Sequence, residues 1–201
     1  MAAEYARLLP DLRAETDLDR AMLAAFAELV SAADLGPVAD VGCGAGRMTA
    51  HLESLGLNAF GIDLSPAMVE QARQAYPHLR FEVGSIAALD LSAATVGGVL
   101  AWYSTIHTPP LHLPQIFAEF ARVLAPGGFL LTGFHVGDGN RPRSVNFRDG
   151  VSLDAYDVTP EQMAELAWDA GLVTRAQLVR AAEGRERRPQ GSLIAAKPIN
   201  P

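Results

Sequence analysis

The chain has 201 residues, of which 49% are hydrophobic and 19% charged, and its net charge is −7. This balance suffices for one packed core and argues against disorder, while an acidic chain with no continuous basic stretch argues against a nucleic-acid partner. The single cysteine, Cys43, excludes an intrachain disulfide and disfavours a cysteine zinc site, so we predict no metal site.

The first residues, Met1 to Arg7, lack the basic start and following apolar run of a signal peptide. No apolar stretch approaches the ~18–20 residues that cross a bilayer. We therefore expect a soluble cytoplasmic protein with no membrane partner, present as a monomer or a homodimer.

Along the chain, apolar runs of strand length alternate with amphipathic stretches of helical length. The predicted strands are 38–42, 57–64, 79–84, 96–103, 129–135, 172–179 and 192–196. The predicted helices are 19–33, 45–55, one starting at Ser65-Pro66 and ending before Pro77, one from Leu113, and one from Thr159 to Gly171. This alternation is typical of an α/β fold in which helices cover a parallel sheet, here as one domain over 1–201.

Three segments stand outside this pattern. Residues 1–35 form an N-terminal helical cap in this interpretation. The stretch 136–158 has no clear periodicity, and a loop of that length predicts an insert or lid near the active site. The charged stretch 183–190 predicts a solvated hairpin loop between the last two strands.

The most informative motif is the glycine cluster after the first strand. The strand runs directly into Gly42-x-Gly44-x-Gly46, and a helix follows from Arg47. Glycines permit a tight turn and close approach of a ligand, and a helix N-terminus presents amide groups and a positive dipole end. Such a loop lies where open α/β sheets bind ligands.

A carboxylate follows about twenty residues later, at the end of the second strand. Asp63, within Gly61-Ile62-Asp63-Leu64-Ser65, is placed to accept hydrogen bonds from both hydroxyls of a ribose. Together the two motifs predict a cofactor that contains adenosine. The alternative is a glycine-rich turn without a ligand.

The order of these and later motifs resembles the class I S-adenosylmethionine-dependent methyltransferases that act on small molecules. The resemblance rests on Asp40-Val-Gly-Cys-Gly-x-Gly46, Gly61-Ile-Asp-Leu-Ser-Pro66, Phe81-Glu-Val-Gly-Ser85, Ala101-Trp-Tyr-Ser-Thr-Ile-His107 and Arg122-Val-Leu-Ala-Pro-Gly-Gly128. It implies a Rossmann-like three-layer α/β/α sandwich with a seven-stranded, mostly parallel sheet and an antiparallel last strand.

The resemblance also implies the cofactor, S-adenosyl-L-methionine, with S-adenosyl-L-homocysteine as product. The residues expected to bind it are Asp40, Gly42, Cys43, Gly44, Gly46, Arg47, Asp63, Leu64, Ser85, Ile86 and Trp102. Asp40 and the glycine loop hold the methionine end, Asp63 the ribose, and Leu64 the adenine. Ser85 stands where the family often has an aspartate for the adenine amino group. Cys43 is a small loop residue and not a nucleophile, because no base is paired with it.

Transfer of a sulfonium-bound methyl group needs alignment and exclusion of water, and a general base when the acceptor is a hydroxyl or a protonated amine. His107, after the fourth strand, is the predicted base; the alternative is a structural histidine hydrogen-bonded within its loop. His135, after the fifth strand, is a second candidate. Tyr103 and Tyr156 are predicted to line the pocket of a small-molecule methyl acceptor together with His107 and His135.

Two further alternatives remain open. Arg141, Arg143 and Arg148 either contact an anionic acceptor or form a solvated loop. The function itself is either methyl transfer, cofactor binding without catalysis, or NAD(P)-dependent oxidation and reduction. The last is disfavoured because the dinucleotide motif is G-x-G-x-x-G and because Lys197 is the only lysine.

Overall fold

A computed structural model of the chain describes residues 15–139, 142–146, 152–184 and 186–199. Its α-helices are α1 (Asp17–Ala33), α2 (Arg47–Ser54), α3 (Pro66–Ala75), α4 (Leu113–Val123) and α5 (Pro160–Asp169). Its strands are β1 (Val38–Val41), β2 (Ala59–Asp63), β3 (Arg80–Val83), β4 (Val96–Trp102), β5 (Leu124–His135), β6 (Arg143–Asn146), β7 (Ser152–Ala155), β8 (Val173–Arg180) and β9 (Gln190–Ala196). None of the helices in these ranges combines the length and the apolar character needed to span a membrane.

Seven strands form one sheet in the order β3-β2-β1-β4-β5-β9-β8. Strands β1 to β5 pair in parallel, and β9 is antiparallel to both β5 and β8. The predicted α/β sandwich with a mostly parallel sheet and an antiparallel last strand is therefore confirmed. The strand order reverses between β1 and β4, which opens a crevice at the carboxyl ends of these strands.

The central strands of the sheet are buried on both faces, as their apolar sequences predict, whereas the edge strand β8 is mostly exposed. All four residues of β1 and all seven of β4 are buried. Neighbouring residues of β4 alternate between two clusters: Val99 and Ala101 pack with the side chains of α4 and α5, and Leu100 and Trp102 with those of α1 and α2. The two clusters are the two helix-on-sheet layers of the sandwich.

Local sequence signals determine where several helices begin. Thr16 and Asp19 form a reciprocal capping box at α1, and Thr159 and Gln162 form another at α5. At α3 the predicted Ser65 cap accepts a hydrogen bond from the amide of Met68, and a proline follows at the first helical position.

The segment 136–158 contains structure that the sequence did not indicate. Strands β6 and β7 pair antiparallel within it. The amide of Tyr156 donates to the carbonyl of Ile106 at 2.7 Å, and that of Val158 donates to the carbonyl of His135 at 3.0 Å. The segment is therefore attached to the carboxyl ends of β4 and β5, whereas its role as a lid stays a prediction.

The predicted hairpin loop connects the antiparallel strands β8 and β9, and its residues Glu183, Gly184, Arg187 and Pro189 are exposed. The loop is also anchored at Glu186 by Arg180. This arginine ends β8 and is only 5% exposed. Its guanidinium donates to both carboxylate oxygens of Asp19 at 2.9 and 2.8 Å and to both of Glu186 at 2.6 and 2.7 Å. The N-terminus of α1 and the β8–β9 connection are thus joined through one buried cation.

Replacing Arg180 by leucine is expected to lower the free energy of unfolding by about 3–5 kcal/mol, because Asp19 and Glu186 lose their common partner. Urea denaturation followed by circular dichroism measures this change. Arg175→Leu, on the same strand with an exposed side chain, is the matched control. Equal effects of the two substitutions would show that the buried cluster contributes nothing to stability.

Candidate active site

The loop after β1 is a tight turn bonded to the end of β2. Gly42, Gly44 and Gly46 have φ angles of 74°, 55° and 86°, which other residues rarely adopt. The amides of Gly42 and Cys43 donate to the carbonyl of Ile62 at 2.7 and 3.0 Å, and the amide of Gly46 donates to the carbonyl of Cys43 at 3.0 Å. These loop amides are therefore satisfied within the protein.

Neighbouring atoms leave no room for a side chain at Gly42 and Gly46, the two ends of this loop. A Cβ atom on Gly42 would lie 2.3 Å from Cβ of Ser104, and one on Gly46 would lie 2.7 Å from the ring of Phe81. The loop therefore packs directly on the segment after β4 and on a side chain of β3.

Asp63 lies at the end of β2 and fixes the loop from the other side. Its carboxylate accepts hydrogen bonds from the amides of Gly44 and Ser65, each at 2.8 Å. A carboxylate offers about four acceptor sites, so Asp63 keeps capacity for further donors such as the hydroxyls of a ribose. Asp63 is half-buried, so part of the residue is accessible to solvent.

Next to Asp63 the structure exposes apolar side chains that the core does not use. Leu64 is 71% exposed, and Val83, which is opposite Asp63 in the β2–β3 register, is 52% exposed. Ile86 is half-buried, and the hydroxyl of Ser85 accepts a hydrogen bond from the amide of Ala87 at 3.2 Å. Exposed apolar atoms beside a free acceptor suit a ligand with an aromatic base and a sugar.

Two of the predicted residues are buried beneath the loop. Asp40 is 1% exposed and accepts a hydrogen bond from the hydroxyl of Thr49 at 2.6 Å. Burial raises the pKa of Asp40 from 3.8 to about 7. Burial, together with the carboxylates of Asp40 and Asp63, also raises the pKa of the Cys43 thiol, so that this thiol stays protonated and unreactive.

Arg47 and Trp102 meet at a residue that the sequence did not single out. The guanidinium of Arg47 donates to both carboxylate oxygens of Glu15, at 2.8 and 2.7 Å, and the indole N–H of Trp102 donates to the same carboxylate at 3.1 Å. Glu15 is therefore the common acceptor for one predicted cofactor residue on α2 and one at the end of β4.

A cavity of about 400 Å³ opens beside these residues, at the carboxyl ends of β4 and β5. It is lined by Glu15, Asp19, Arg47, Trp102, Tyr103, Ile106, His135, Arg143, Arg180, Glu186, Arg187, Arg188 and Gln190. Predicted site residues among them are Arg47, Trp102, Tyr103 and His135, and Arg143 is one of the arginines considered for an anionic acceptor. The acids Glu15, Asp19 and Glu186 were missed, as were Arg180, Arg187 and Arg188, because no local motif marks them.

Tyr103 and His135 lie side by side in the cavity wall, with ring centroids 5.5 Å apart. Tyr103 has a left-handed backbone with φ of 54°, which is rare for a bulky residue. Burial, with the charges of Arg143 and Arg188, lowers the pKa of His135 to about 4. Because Arg143 donates to Nδ1 of His135 at 3.1 Å, the imidazole is neutral with its proton on Nε2. His135 is therefore a hydrogen-bond donor and not a base.

His107 and Tyr156 do not belong to the cavity wall. His107 is exposed in a single 3₁₀ turn after β4, and its Nδ1 donates to the backbone carbonyl of Asp154 at 2.8 Å. This bond leaves a lone pair on Nε2, the form that a general base requires. Tyr156 is half-buried where the β6–β7 segment joins the turn. Of the predicted arginines, Arg141 and Arg148 lie outside the described residues.

The comparisons with known proteins agree with this geometry. Residues 38–128 match a family model described as a methyltransferase domain. A trans-aconitate 2-methyltransferase of Methylobacterium nodulans is 36% identical over 101 residues, which cover 46% of this chain and 36% of the relative. The chain spans between about a third and a half of the length of the curated relatives it matches.

Solved structures share the fold at low sequence identity. A methyltransferase from Methanosarcina mazei described as S-adenosylmethionine-dependent superposes with a TM-score of 0.74 at 19% identity, covering 82% of this chain and 93% of its own. Magnesium protoporphyrin IX methyltransferase from Synechocystis, with bound S-adenosylhomocysteine, gives 0.66 at 20% identity, covering 89% and 82%.

The raised pKa of Asp40 makes the stability of the fold depend on pH. Its pKa is raised in the folded protein, so its contribution to stability is full below about pH 4 and is lost as the pH rises through about 7. Asp40→Asn removes the ionisation and keeps an acceptor for Thr49. We expect the variant to be more stable than the wild type at pH 8.5, by about 3 kcal/mol, and the difference to shrink towards pH 5.

Thermal unfolding between pH 5 and 9 measures this difference. Asp90→Asn, at an exposed site, is the control for the loss of one carboxylate. If both variants follow the pH dependence of the wild type, Asp40 ionises normally in the fold and the argument is wrong.

Proposed function

We propose that the chain is a class I S-adenosylmethionine-dependent methyltransferase that transfers the methyl group of S-adenosylmethionine to an oxygen, nitrogen or carbon nucleophile of a small molecule. The match of residues 38–128 to a methyltransferase domain and the shared fold support this proposal. S-adenosylmethionine is the cofactor of this family, and S-adenosylhomocysteine is its product.

One observation supports the proposal above all. The carboxylate of Asp63 and the glycine loop lie at the carboxyl ends of the strands, as does the cavity that Trp102 and Tyr103 help to line. A nucleoside bound at Asp63 and an acceptor bound in the cavity therefore approach each other at the carboxyl ends of β1 and β4. Methyl transfer needs this arrangement of two adjoining sites.

The chain's own residues fit the cofactor. Asp63 has free acceptor sites for the ribose, and Leu64 offers an exposed apolar surface for the base. The α2 helix begins after Gly46, which has no side chain to cap it, so its first amides can bind the carboxylate of the methionine end. Arg47 stands at this helix start and is held in place by Glu15.

The bound cofactor supplies an electrophilic methyl group on a sulfonium centre. The protein aligns the nucleophile and excludes water. Trp102 is buried and orthogonal to the ring of Tyr103, with centroids 5.3 Å apart, so the two rings form a fixed apolar wall at the end of β4. The unusual backbone of Tyr103 is explained if the site requires its ring in this position.

We assign the role of general base to His107 where the acceptor loses a proton. The bond from its Nδ1 to the carbonyl of Asp154 fixes the ring and leaves Nε2 able to accept a proton. His107 follows the same strand as Trp102 and Tyr103 and is near His135. The opposing interpretation is that His107 only fastens the β6–β7 segment.

Asp63→Ala tests the cofactor site. Calorimetric titration with S-adenosylhomocysteine should show binding weakened by about 10- to 150-fold, because a charged hydrogen bond is worth about 1.5–3 kcal/mol. Asp90→Ala is the matched control. Because Asp63 also fixes the loop, the titration is repeated with S-adenosylhomocysteine that lacks the 2′-hydroxyl. The affinities of the wild type and of Asp63→Ala should differ less for this analogue than for S-adenosylhomocysteine itself.

The same titration separates the rival functions. No binding of S-adenosylmethionine or S-adenosylhomocysteine at high micromolar concentration contradicts the proposal. Thermal stabilisation by NAD or NADP instead favours an oxidoreductase. Tight binding without transfer of a labelled methyl group to any member of a broad acceptor panel favours a non-catalytic module.

His107→Ala tests the base. With an acceptor found in the panel, turnover should fall by about 10²-fold while the affinity for S-adenosylhomocysteine is unchanged. His112→Ala, at the exposed start of α4, is the control. An unaltered rate would make His107 a structural residue.

A further inference from the structure

We propose that the methyl acceptor carries an oxyanion group, a carboxylate or a phosphate, which is bound at the end of the cavity formed by Arg143, Arg187, Arg188 and His135. We call these four residues the cationic cluster. The proposal names the acceptor class for the function proposed above and rests on it.

The cavity wall contains more basic than acidic side chains. Five arginines and three acidic side chains line the cavity, although the whole chain has a net charge of −7. The acids are committed to two of these arginines. Glu15 binds Arg47, and Asp19 and Glu186 both bind Arg180. The positive surplus is therefore concentrated in the cationic cluster.

Asp157 is an acid in contact with the cluster; it pairs with Arg188 and lies 4.0 Å from Nη2 of Arg143 and from Nδ1 of His135. Its buried Oδ1 accepts no hydrogen bond from the described residues, so Asp157 pairs directly with one of the three arginines. Burial and the charge of Arg143 lower the pKa of Arg188.

The cluster also has spare hydrogen-bond donors. The Nε atom of Arg143 is buried and finds no acceptor among the residues that the structure describes. His135 uses Nδ1 as an acceptor for Arg143, so its remaining proton lies on Nε2. Unused donors in a cavity wall are costly unless a ligand accepts from them.

Guanidinium groups bind carboxylates and phosphates through paired hydrogen bonds, and an additional anion would relieve the repulsion between Arg143 and Arg188. A neutral acceptor of the same shape would leave the cations and donors unpaired, and such sites discriminate strongly against it. The cationic cluster therefore selects an anionic acceptor and holds it in the same cavity as the wall of Trp102 and Tyr103.

The test uses tricarballylate, a tricarboxylate, and inorganic phosphate as separate probes, titrated calorimetrically into the protein at constant ionic strength. Each titration is run with and without saturating S-adenosylhomocysteine. The variants are Arg188→Gln and Arg187→Gln; the second side chain is exposed, so its loss does not endanger the fold. Arg175→Gln, on the exposed part of β8, is the control with the same change of charge.

We expect saturable binding of at least one anion to the wild type and to the control, weakened about tenfold or more in both cluster variants, with unchanged affinity for S-adenosylhomocysteine. Binding of tricarballylate alone assigns a carboxylate, and binding of phosphate alone assigns a phosphate. Absence of saturable binding of either anion, or equal weakening in Arg175→Gln, overturns the proposal. If S-adenosylhomocysteine fails to bind, the proposed function fails, and the titrations without it still decide the anion site.

Discussion

The carboxylate of Asp63 joins the end of β2 to the glycine loop after β1, and the candidate cofactor site depends on this junction. Its two hydrogen bonds, to the amides of Gly44 and Ser65, fix the loop and the start of α3 relative to the same strand end. The loop amides of Gly42, Cys43 and Gly46 are bonded inside the protein as well. The loop is therefore already in shape before a ligand arrives, and binding costs little ordering of the chain.

The glycines permit a turn that other residues rarely adopt and that packs against Ser104 and Phe81. Because the amides of Gly42, Cys43, Gly44 and Gly46 are bonded within the protein, the proposed cofactor contacts are the free acceptor sites of Asp63, the exposed side chain of Leu64 and the uncapped start of α2.

Charged residues build the wall of the neighbouring cavity. Glu15 connects α2 with β4, and Arg180 connects α1 with the segment after β8. Buried ion pairs repay their desolvation only with good geometry, so these contacts specify positions more than they add stability. The arginines left over by this pairing give the cavity its positive character in an acidic protein.

The features that local sequence determines were predicted well. The seven strands of the main sheet, the helix starts at Ser65 and Thr159, the glycine loop and the position of Asp63 follow from patterns within a few residues, or from the regular spacing of two strands. The cavity wall was not predictable in this way. Glu15 and Trp102 are 87 residues apart and Asp19 and Arg180 are 161 apart, so no local signal pairs them.

The structure of the protein crystallised with S-adenosylhomocysteine tests the central claim most directly. The account predicts the ribose on Asp63, the base against Leu64 and Ile86, and the sulfur at the side of the cavity bounded by Trp102 and Tyr103. A nucleoside bound elsewhere on the chain, or an Asp63 carboxylate that contacts only Gly44 and Ser65 in the complex, would contradict it.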